Sequence, residues 1–345
     1  MAKRTRATAR VEVEQDASSA TVSLVGHQDA LGAVARAIRS GRPPQAWIIS
    51  GPPGIGKATL AYRIARYLLR FGATADGPAD LSLPANDPVS QQVKAGAHPG
   101  LIVLKRGLNP ETGKQMTVLA VNQTRRLDSF FGLTSGAGGW RVAIIDTADD
   151  MNDNAANALL KTLEEPPARA LLLVLSNSPA RLLPTIRSRC QRLALRPLAD
   201  PDVSSELIRR MPDLSNEERQ SLVRLAGGSI GAALELASDD GIALAGEAER
   251  LVDRASMPDF PATVALAEKI ARMDDGLSRF GVFLLEALSD RVRTRARRGE
   301  TNLRRWVELC EKLSASLNRS DALNLDPRQT IVSAARAIEA VGSRQ

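Results

Sequence analysis

The fold of this chain is decided by one stretch, Gly51-Pro52-Pro53-Gly54-Ile55-Gly56-Lys57-Ala58-Thr59. The apolar segment Ala46–Ser50 before it predicts a strand, and the apolar residues of Lys57–Phe71 recur at helical spacing. Glycines let backbone N–H groups curl around phosphate oxygens, the helix adds its positive end, and the lysine places a charge on the terminal phosphates. Because strand, loop and helix follow in this order, the stretch predicts a phosphate-binding loop and not a chance Gly-Pro turn.

Short apolar segments alternate with amphipathic ones from Val25 to about Pro197. Apolar strands separated by helices indicate an α/β fold with a parallel sheet that is covered on both faces. We predict further strands at Leu101–Leu104, Val142–Asp146, Leu171–Leu175 and Arg192–Leu195, an extended edge piece at Met116–Val121, and helices at Gln123–Leu133, Asn154–Leu163 and near Ala180–Arg187. The segment 72–97, rich in Ala, Gly, Pro and Asp, predicts a surface insertion.

The chain has 345 residues, enough for two or three domains. Pro197-Leu198-Ala199-Asp200-Pro201 has the composition of a linker, and the segments after it are helical in pattern. We predict a loose polar tail at 1–21, a nucleotide-binding core at 22–197, a small helical lid domain at 198–240 and a C-terminal helical bundle at 241–345. Gly227-Gly228 predicts a turn between two lid helices.

The composition is that of a soluble globular chain with excess positive charge, 46 Lys and Arg against 39 Asp and Glu. A basic surface favours an acidic partner such as nucleic acid, whereas an aromatic content of 3% argues against stacking platforms for single strands. Cys190 and Cys310, with only two histidines, form no zinc pattern. No apolar run reaches the ~18 residues of a membrane helix, so we expect a cytoplasmic protein with no membrane partner.

The groups that would hydrolyse a bound nucleotide are altered. Ala58 stands where a Ser or Thr hydroxyl usually binds Mg²⁺, and Thr59 points about 100° further round a helix. Asp146 could hold the metal through water, but Thr147 cannot polarise an attacking water as a carboxylate base would. Asp149 and Asp150 are interpreted as a solvated helix start. We therefore expect a chain that holds a nucleotide and hydrolyses it poorly.

The most distinctive pattern is Asn157-Ala-Leu-Leu-Lys-Thr-Leu-Glu-Glu-Pro-Pro167, which is followed by Ser188-Arg189-Cys190. With these strings, with Gly139-Trp140-Arg141-Val142 before a strand and with Val25-Gly26-His27 upstream of the sheet, the sequence resembles the AAA+ clamp-loader family over about residues 22–240. The rest matches by helical pattern only. The resemblance implies an AAA+ core, a helical lid and a C-terminal oligomerisation domain. His27 is interpreted as a packed, non-catalytic residue.

Further site residues follow from the resemblance alone. In this family the serine-arginine-cysteine triplet carries an arginine that reaches into the ATP site of a neighbouring subunit, and Arg189 matches it. In isolation Arg189 would be interpreted as a surface or ion-paired arginine. Asn177, in the polar run after a strand, could hydrogen-bond a phosphate or a water. Gly231 stands where motor subunits carry an arginine that touches the γ-phosphate. The cysteine-free stretch 72–97 replaces a zinc module of many relatives, so no zinc is expected.

The resemblance implies a stator-like subunit of a hetero-oligomer that opens a sliding clamp and loads it on primed DNA. Gamma/tau and delta subunits would be partners, and the clamp and primed DNA would be reached through the complex. ATP or ADP would be a structural ligand, with Mg²⁺ bound weakly if at all and with little or no turnover. Two alternatives stay open: a competent AAA+ motor, such as the gamma/tau subunit or a helicase loader, and a protein whose DNA-binding basic surface is its main function.

An arginine-rich run, Arg291-Val-Arg-Thr-Arg-Ala-Arg-Arg298, lies in the predicted C-terminal bundle. At helical spacing Arg291, Arg295 and Arg298 share one face. This face either pairs with acidic residues of the chain itself or contacts DNA or an acidic partner.

Overall fold

The computed structural model describes residues 24–105, 121–132, 139–146, 148–237, 241–257, 259–273, 276–300, 303–322 and 325–343. The chain divides into two compact units, Met1–Glu206 with Gly228–Ala232, and Leu207–Gly227 with Ala233–Gln345. The predicted tail at 1–21 lies outside the described residues, as does the predicted edge piece except for Val121, which begins a helix. The division into core, lid and bundle stays a prediction.

Among the described residues of the first unit, five parallel strands form one sheet. They are β1 (Ala46–Ser50), β2 (Leu101–Leu104), β3 (Arg141–Ile145), β4 (Ala170–Ser176) and β5 (Gln191–Ala194). Their order across the sheet is β2-β3-β4-β1-β5, and every neighbouring pair runs parallel. The predicted α/β class with a parallel P-loop core is therefore confirmed. β1 and β2 have the predicted bounds, and the other three strands begin one residue earlier than predicted.

Both faces of the sheet are buried because successive side chains of a strand enter different cores. In β1, Trp47 and Ile49 pack in one apolar cluster, whereas Ala46 and Ile48 pack in another. β4 alternates in the same way and is buried along its whole length. A strand of this kind has no polar face, which explains its continuous apolar sequence.

Helices of the first unit supply the other side of each cluster. They are α1 (Gln28–Arg39), α2 (Lys57–Phe71), α3 (Pro88–Lys94), α4 (Val121–Gly132), α5 (Asp153–Glu164) and α6 (Pro184–Arg189), with 3-10 turns at Ala148–Asp150 and Pro179–Arg181. α2 has its predicted bounds. The Asn152 side chain caps α5 by accepting from the Ala155 N–H at 2.8 Å. The predicted helix near Ala180–Arg187 divides into the second 3-10 turn and α6.

The predicted surface insertion at 72–97 is folded onto α2. Leu81 is fully buried in the core cluster that α2 joins. Arg63 pairs with Asp80 at 2.7 Å, and Arg70 pairs with Asp87 at 3.1 Å. Burial opposes the ionisation of Asp80, but hydrogen bonds from Ser82 and the Arg63 charge together lower its pKa. Apolar anchoring and ion pairs thus hold this segment to the first unit.

The helices after the linker are α7 (Asp200–Arg210), α8 (Asn216–Leu225), α9 (Ile230–Ala237), α10 (Gly241–Asp253), α11 (Phe260–Ala271), α12 (Gly276–Arg297), α13 (Arg304–Ala322) and α14 (Pro327–Gly342). In the second unit α10 packs on α12 and α11 on α14, around a core that contains Phe280 and Trp306. Gly227 and Gly228 have φ of +53° and +81° and form the predicted turn. Over the described ranges, no helix has the length and apolar character of a membrane span.

Candidate nucleotide-binding site

The phosphate-binding loop joins β1 to α2 in a conformation that its glycines permit. Gly51, Gly54 and Gly56 have φ of +152°, +69° and +107°, a region that residues with a Cβ rarely adopt. A Cβ on Gly51 would also lie 2.7 Å from the carbonyl oxygen of Leu195. Ile55 is buried and anchors the loop in the core. The loop therefore has the strand and helix context that the sequence predicts.

The Lys57 ammonium points into this loop. Its Nζ donates to the carbonyl oxygens of Gly51 and Pro52, each at 2.8 Å, and to Oδ1 of Asn177 at 2.6 Å. Burial lowers the pKa of Lys57 to about 8, although the charges of Asp146 and Asp149 act in the opposite direction. Lys57 is the first residue of α2, and the N-terminus of a helix also favours a bound anion. These groups fit a phosphate.

Asp149 organises the polar segment after β4. Its carboxylate accepts from the Ser176 hydroxyl at 2.6 Å, from the Asn177 N–H at 2.5 Å and from the Ser178 N–H at 3.3 Å. The interpretation of Asp149 as a merely solvated helix start is therefore wrong. The residue does belong to a 3-10 turn, but its carboxylate is bound to the neighbouring strand end. Asp149 thereby holds Asn177 beside Lys57.

The predicted metal-binding positions have different surroundings. Asp146 follows β3, is half-buried and acts electrostatically on Lys57. Thr147 lies outside the described residues. Ala58 packs against the apolar core, and Thr59 is half-buried on α2. In the part of the chain that the structure describes, no three His, Cys, Asp or Glu side chains are grouped as a metal site. Weak Mg²⁺ binding and the lack of zinc stay predictions.

His27 connects the segment before α1 to the loop. Its Nε2 lies 2.9 Å from the carbonyl oxygen of Ile55, which can only accept, so Nε2 carries the proton in this hydrogen bond. His27 itself has a φ of +57° and its carbonyl oxygen accepts from the Leu31 N–H. This supports the interpretation of His27 as a packed residue, here one that fixes the loop.

The loop is also contacted by Gly228–Ala232, a segment of the first unit that comes much later in the sequence. The Gly231 N–H donates to the carbonyl oxygen of Gly54 at 2.9 Å, and the Ser229 hydroxyl donates to that of Pro53 at 2.9 Å. A Cβ on Gly231 would lie 2.5 Å from Cα of Gly54. Gly231 stands where the resemblance places an arginine in motor subunits. The backbone contact between Gly231 and Gly54 leaves no room for a side chain at this position.

Arg189, the last residue of α6, has its contacts elsewhere. Its Nη2 lies 2.8 Å from Oε1 of Glu164, and its Nη1 donates to the carbonyl oxygen of Thr185 at 3.1 Å. The side chain is 37% exposed. Lys57, Asn177 and Asp146 are therefore brought together around the loop, whereas the contacts of Arg189 are with its own helix and with α5.

The arginine-rich face of α12 pairs within the second unit. Arg291 lies 3.2 Å from Asp253, and Arg295 lies 3.5 Å from Glu300. Both guanidinium groups also stack on Trp306, 5.0 and 5.2 Å from the ring centroid. Intrachain pairing is confirmed for these two arginines, and a contact with DNA or an acidic partner stays a prediction.

Comparison with known proteins identifies relatives of this chain. A family model described as DNA polymerase III, delta subunit, matches residues 26–199. A DNA polymerase III subunit delta' of Pseudomonas aeruginosa is 40% identical over 185 residues, 53% of each chain. A subunit delta' of Escherichia coli is 35% identical over 202 residues, 59% of this chain and 57% of the relative. The chain thus spans about half the length of these relatives.

A solved structure was also found to be similar. It is the crystal structure of a gamma subunit-related protein from Thermotoga maritima, and the match covers 92% of this chain and 99% of that protein's chain, at 16% identity and a TM-score of 0.46.

Replacing Gly231 by alanine should disrupt the contact with the loop. The φ of Gly231 is not in the left-handed region, so the effect would come from the crowding of Gly54 alone. We expect faster hydrogen exchange at residue 231 and a loss of about 1–3 kcal/mol of stability. Gly132→Ala is the matched control, because a Cβ there meets nothing within 4 Å. Unchanged exchange and stability in Gly231→Ala would contradict the contact.

The lowered pKa of Lys57 predicts that the unfolding free energies of the wild type and Lys57→Met differ by an amount that depends on pH. Between pH 8 and 10.5 the unfolded chain keeps the Lys57 proton while the folded chain releases it. The unfolding free energy of the wild type should therefore rise with pH relative to the variant in this window, and the difference should be constant below it. Denaturant unfolding at several pH values measures this. A difference that falls between pH 8 and 10 would be the contrary result.

Proposed function

This chain belongs to the DNA polymerase III delta-subunit family, and we propose that it acts as the delta-prime, stator-like subunit of a replicative clamp loader in the cytoplasm. In that complex it would help to load the sliding clamp on primed DNA. Its partners would be gamma/tau and delta subunits. Relatives named delta', gamma and tau support this assignment.

One observation carries the non-motor part of the proposal, the contact between Gly231 and Gly54. Gly231 presents only its backbone N–H to the phosphate-binding loop. A side chain at that position would collide with Gly54. The chain therefore cannot supply a cation to a γ-phosphate from this position, as motor subunits of the family do. Ala58 adds to the same conclusion because it has no hydroxyl for Mg²⁺.

The site keeps the groups that hold a nucleotide. Lys57 and Asn177 are hydrogen-bonded to each other, and Asp149 orients Asn177. We propose that ATP or ADP binds here as a structural ligand, with its phosphates on the loop and on Lys57. The alternative of a competent motor is favoured by Lys57 and Asp146. Such a motor would have to work with Ala58, Thr147 and Gly231 in place of the hydroxyl, the carboxylate base and the arginine of motor subunits.

Arg189 is proposed to act on the ATP site of a neighbouring subunit. Its contacts lie on α5 and α6, and its guanidinium remains partly exposed. An arginine supplied from another subunit stabilises the negative charge that develops on the transferring phosphate. The chain would thereby contribute to hydrolysis in the complex while it hydrolyses little itself.

Purified chain should turn over little or no ATP in the presence of Mg²⁺. Steady-state phosphate release and equilibrium nucleotide binding should be measured on the same sample. Binding without turnover, or neither, agrees with the stator role. Turnover on the order of one per second, abolished by Lys57→Ala, would instead identify a motor.

In the assembled complex, Arg189→Ala should abolish most hydrolysis at one neighbouring site. The other motor sites are best silenced by replacing their phosphate-binding lysines, so that the neighbour's site is measured alone. We expect a fall on the order of 10³-fold in its rate. Arg192→Ala, which removes another exposed arginine nearby, is the control and should leave the rate unchanged. Equal rates in wild type and Arg189→Ala would refute the action in trans.

A further inference from the structure

We infer that Glu164 is a positioning residue for Arg189, holding its guanidinium ready for the neighbouring subunit's nucleotide. This inference rests on the proposed function of Arg189. The observation behind it is the ion pair between Oε1 of Glu164 and Nη2 of Arg189 at 2.8 Å. The two residues are 25 positions apart and lie at the last residues of α5 and α6.

Both ends of the pair are attached to one apolar core. Leu163 precedes Glu164, and Cys190 follows Arg189; both are buried in the same cluster. Ile186, one turn before Arg189, is fully buried there as well. α5 ends at Glu164, and Pro166-Pro167 prevents its continuation. The Cα positions of Glu164 and Arg189 are therefore fixed by packing, and only their side chains remain to be oriented.

The contacts of Arg189 leave donors for a phosphate. A guanidinium has five N–H groups, and the structure engages two of them, one with Glu164 and one with the Thr185 carbonyl oxygen. The remaining three can donate to an incoming phosphate oxygen while the pair persists. Two fixed contacts restrict the rotamers of a long side chain before the partner arrives, which reduces the entropy lost on binding.

Glu164 could in principle compete with the phosphate for Arg189. Its side chain is 52% exposed, so the attraction between the two charges is screened by solvent. A phosphate carrying several negative charges in a closed site attracts the guanidinium more strongly than one exposed carboxylate does. We therefore expect the orienting effect of Glu164 on Arg189 to exceed its competition with the phosphate. Loss of Glu164 should lower, and not raise, the rate of ATP hydrolysis in the neighbouring subunit.

The test uses the reconstituted complex in which only the neighbour's ATP site is active. Glu164→Ala should lower its kcat about two- to fivefold, a range that follows from the small energy of exposed ion pairs, with KM unchanged. Glu164→Gln retains an oxygen that accepts from Nη2 and should restore most of the rate. Glu165→Ala, the adjacent exposed glutamate, is the matched control and should behave as wild type. In the Arg189→Ala background, Glu164→Ala should have no further effect.

The outcomes separate this inference from the proposed function. If Arg189→Ala slows the neighbour but Glu164→Ala leaves the rate unchanged or raises it, only the positioning role is overturned. A Glu164→Gln variant as slow as Glu164→Ala also overturns it. If Arg189→Ala has no effect, both proposals fall.

Side-chain ¹⁵N relaxation of Arg189 in the isolated chain is an independent readout. The Arg189 side chain should be more mobile in Glu164→Ala than in the wild type, and unchanged in Glu165→Ala. Equal mobility in Glu164→Ala and the wild type would count against the inference.

Discussion

The pairing of Ser50 with Ser176 in neighbouring parallel strands is the constraint on which the candidate site depends. It brings the end of β1, where the phosphate-binding loop begins, level with the end of β4, where Asn177 follows. The Gly51 N–H donates to the Ser176 carbonyl oxygen at 3.3 Å. A shift of one residue would turn Ser176 and its neighbours to the opposite face. Because β1 sends Ala46 and Ile48 into one core and Trp47 and Ile49 into the other, such a shift would exchange side chains of different size between two packed cores.

The parts of this fold that could be predicted from the sequence are those with local signals. The strand, loop and helix around Lys57 have glycine, apolar and helical patterns within about 25 consecutive residues, and β1 and α2 have their predicted bounds. The continuous apolar runs of β3 and β4 predicted buried parallel strands. The remaining strand ends differ by one residue because the pairing partner, and not the strand's own sequence, decides where the ladder ends.

The residues that sequence analysis missed act over long separations. Asp149 has the local pattern of a helix start, but its contacts are 27 to 29 residues away. The polar run Ser176-Asn177-Ser178 directly after an apolar strand is the available signal, since the donors of the buried Ser176 and its neighbours need an acceptor. Gly231 was recognised only as a missing arginine; its contact with Gly54 depends on tertiary structure that no local pattern encodes. Glu164 was part of a recognised motif, yet its partner Arg189 was assigned separately.

Lys57 and Arg189 differ in a way that suits their proposed roles. Burial lowers the pKa of Lys57 to about 8, and Asp146 and Asp149 limit that effect, so its charge is maintained by its own site. Arg189 is proposed to enter a site made by another protein, where burial would penalise its charge. An ammonium could lose its proton there, whereas a guanidinium keeps its charge and offers several donors in a fixed plane. A cation that acts outside its own chain must remain charged in surroundings that the chain does not control, and arginine meets that requirement.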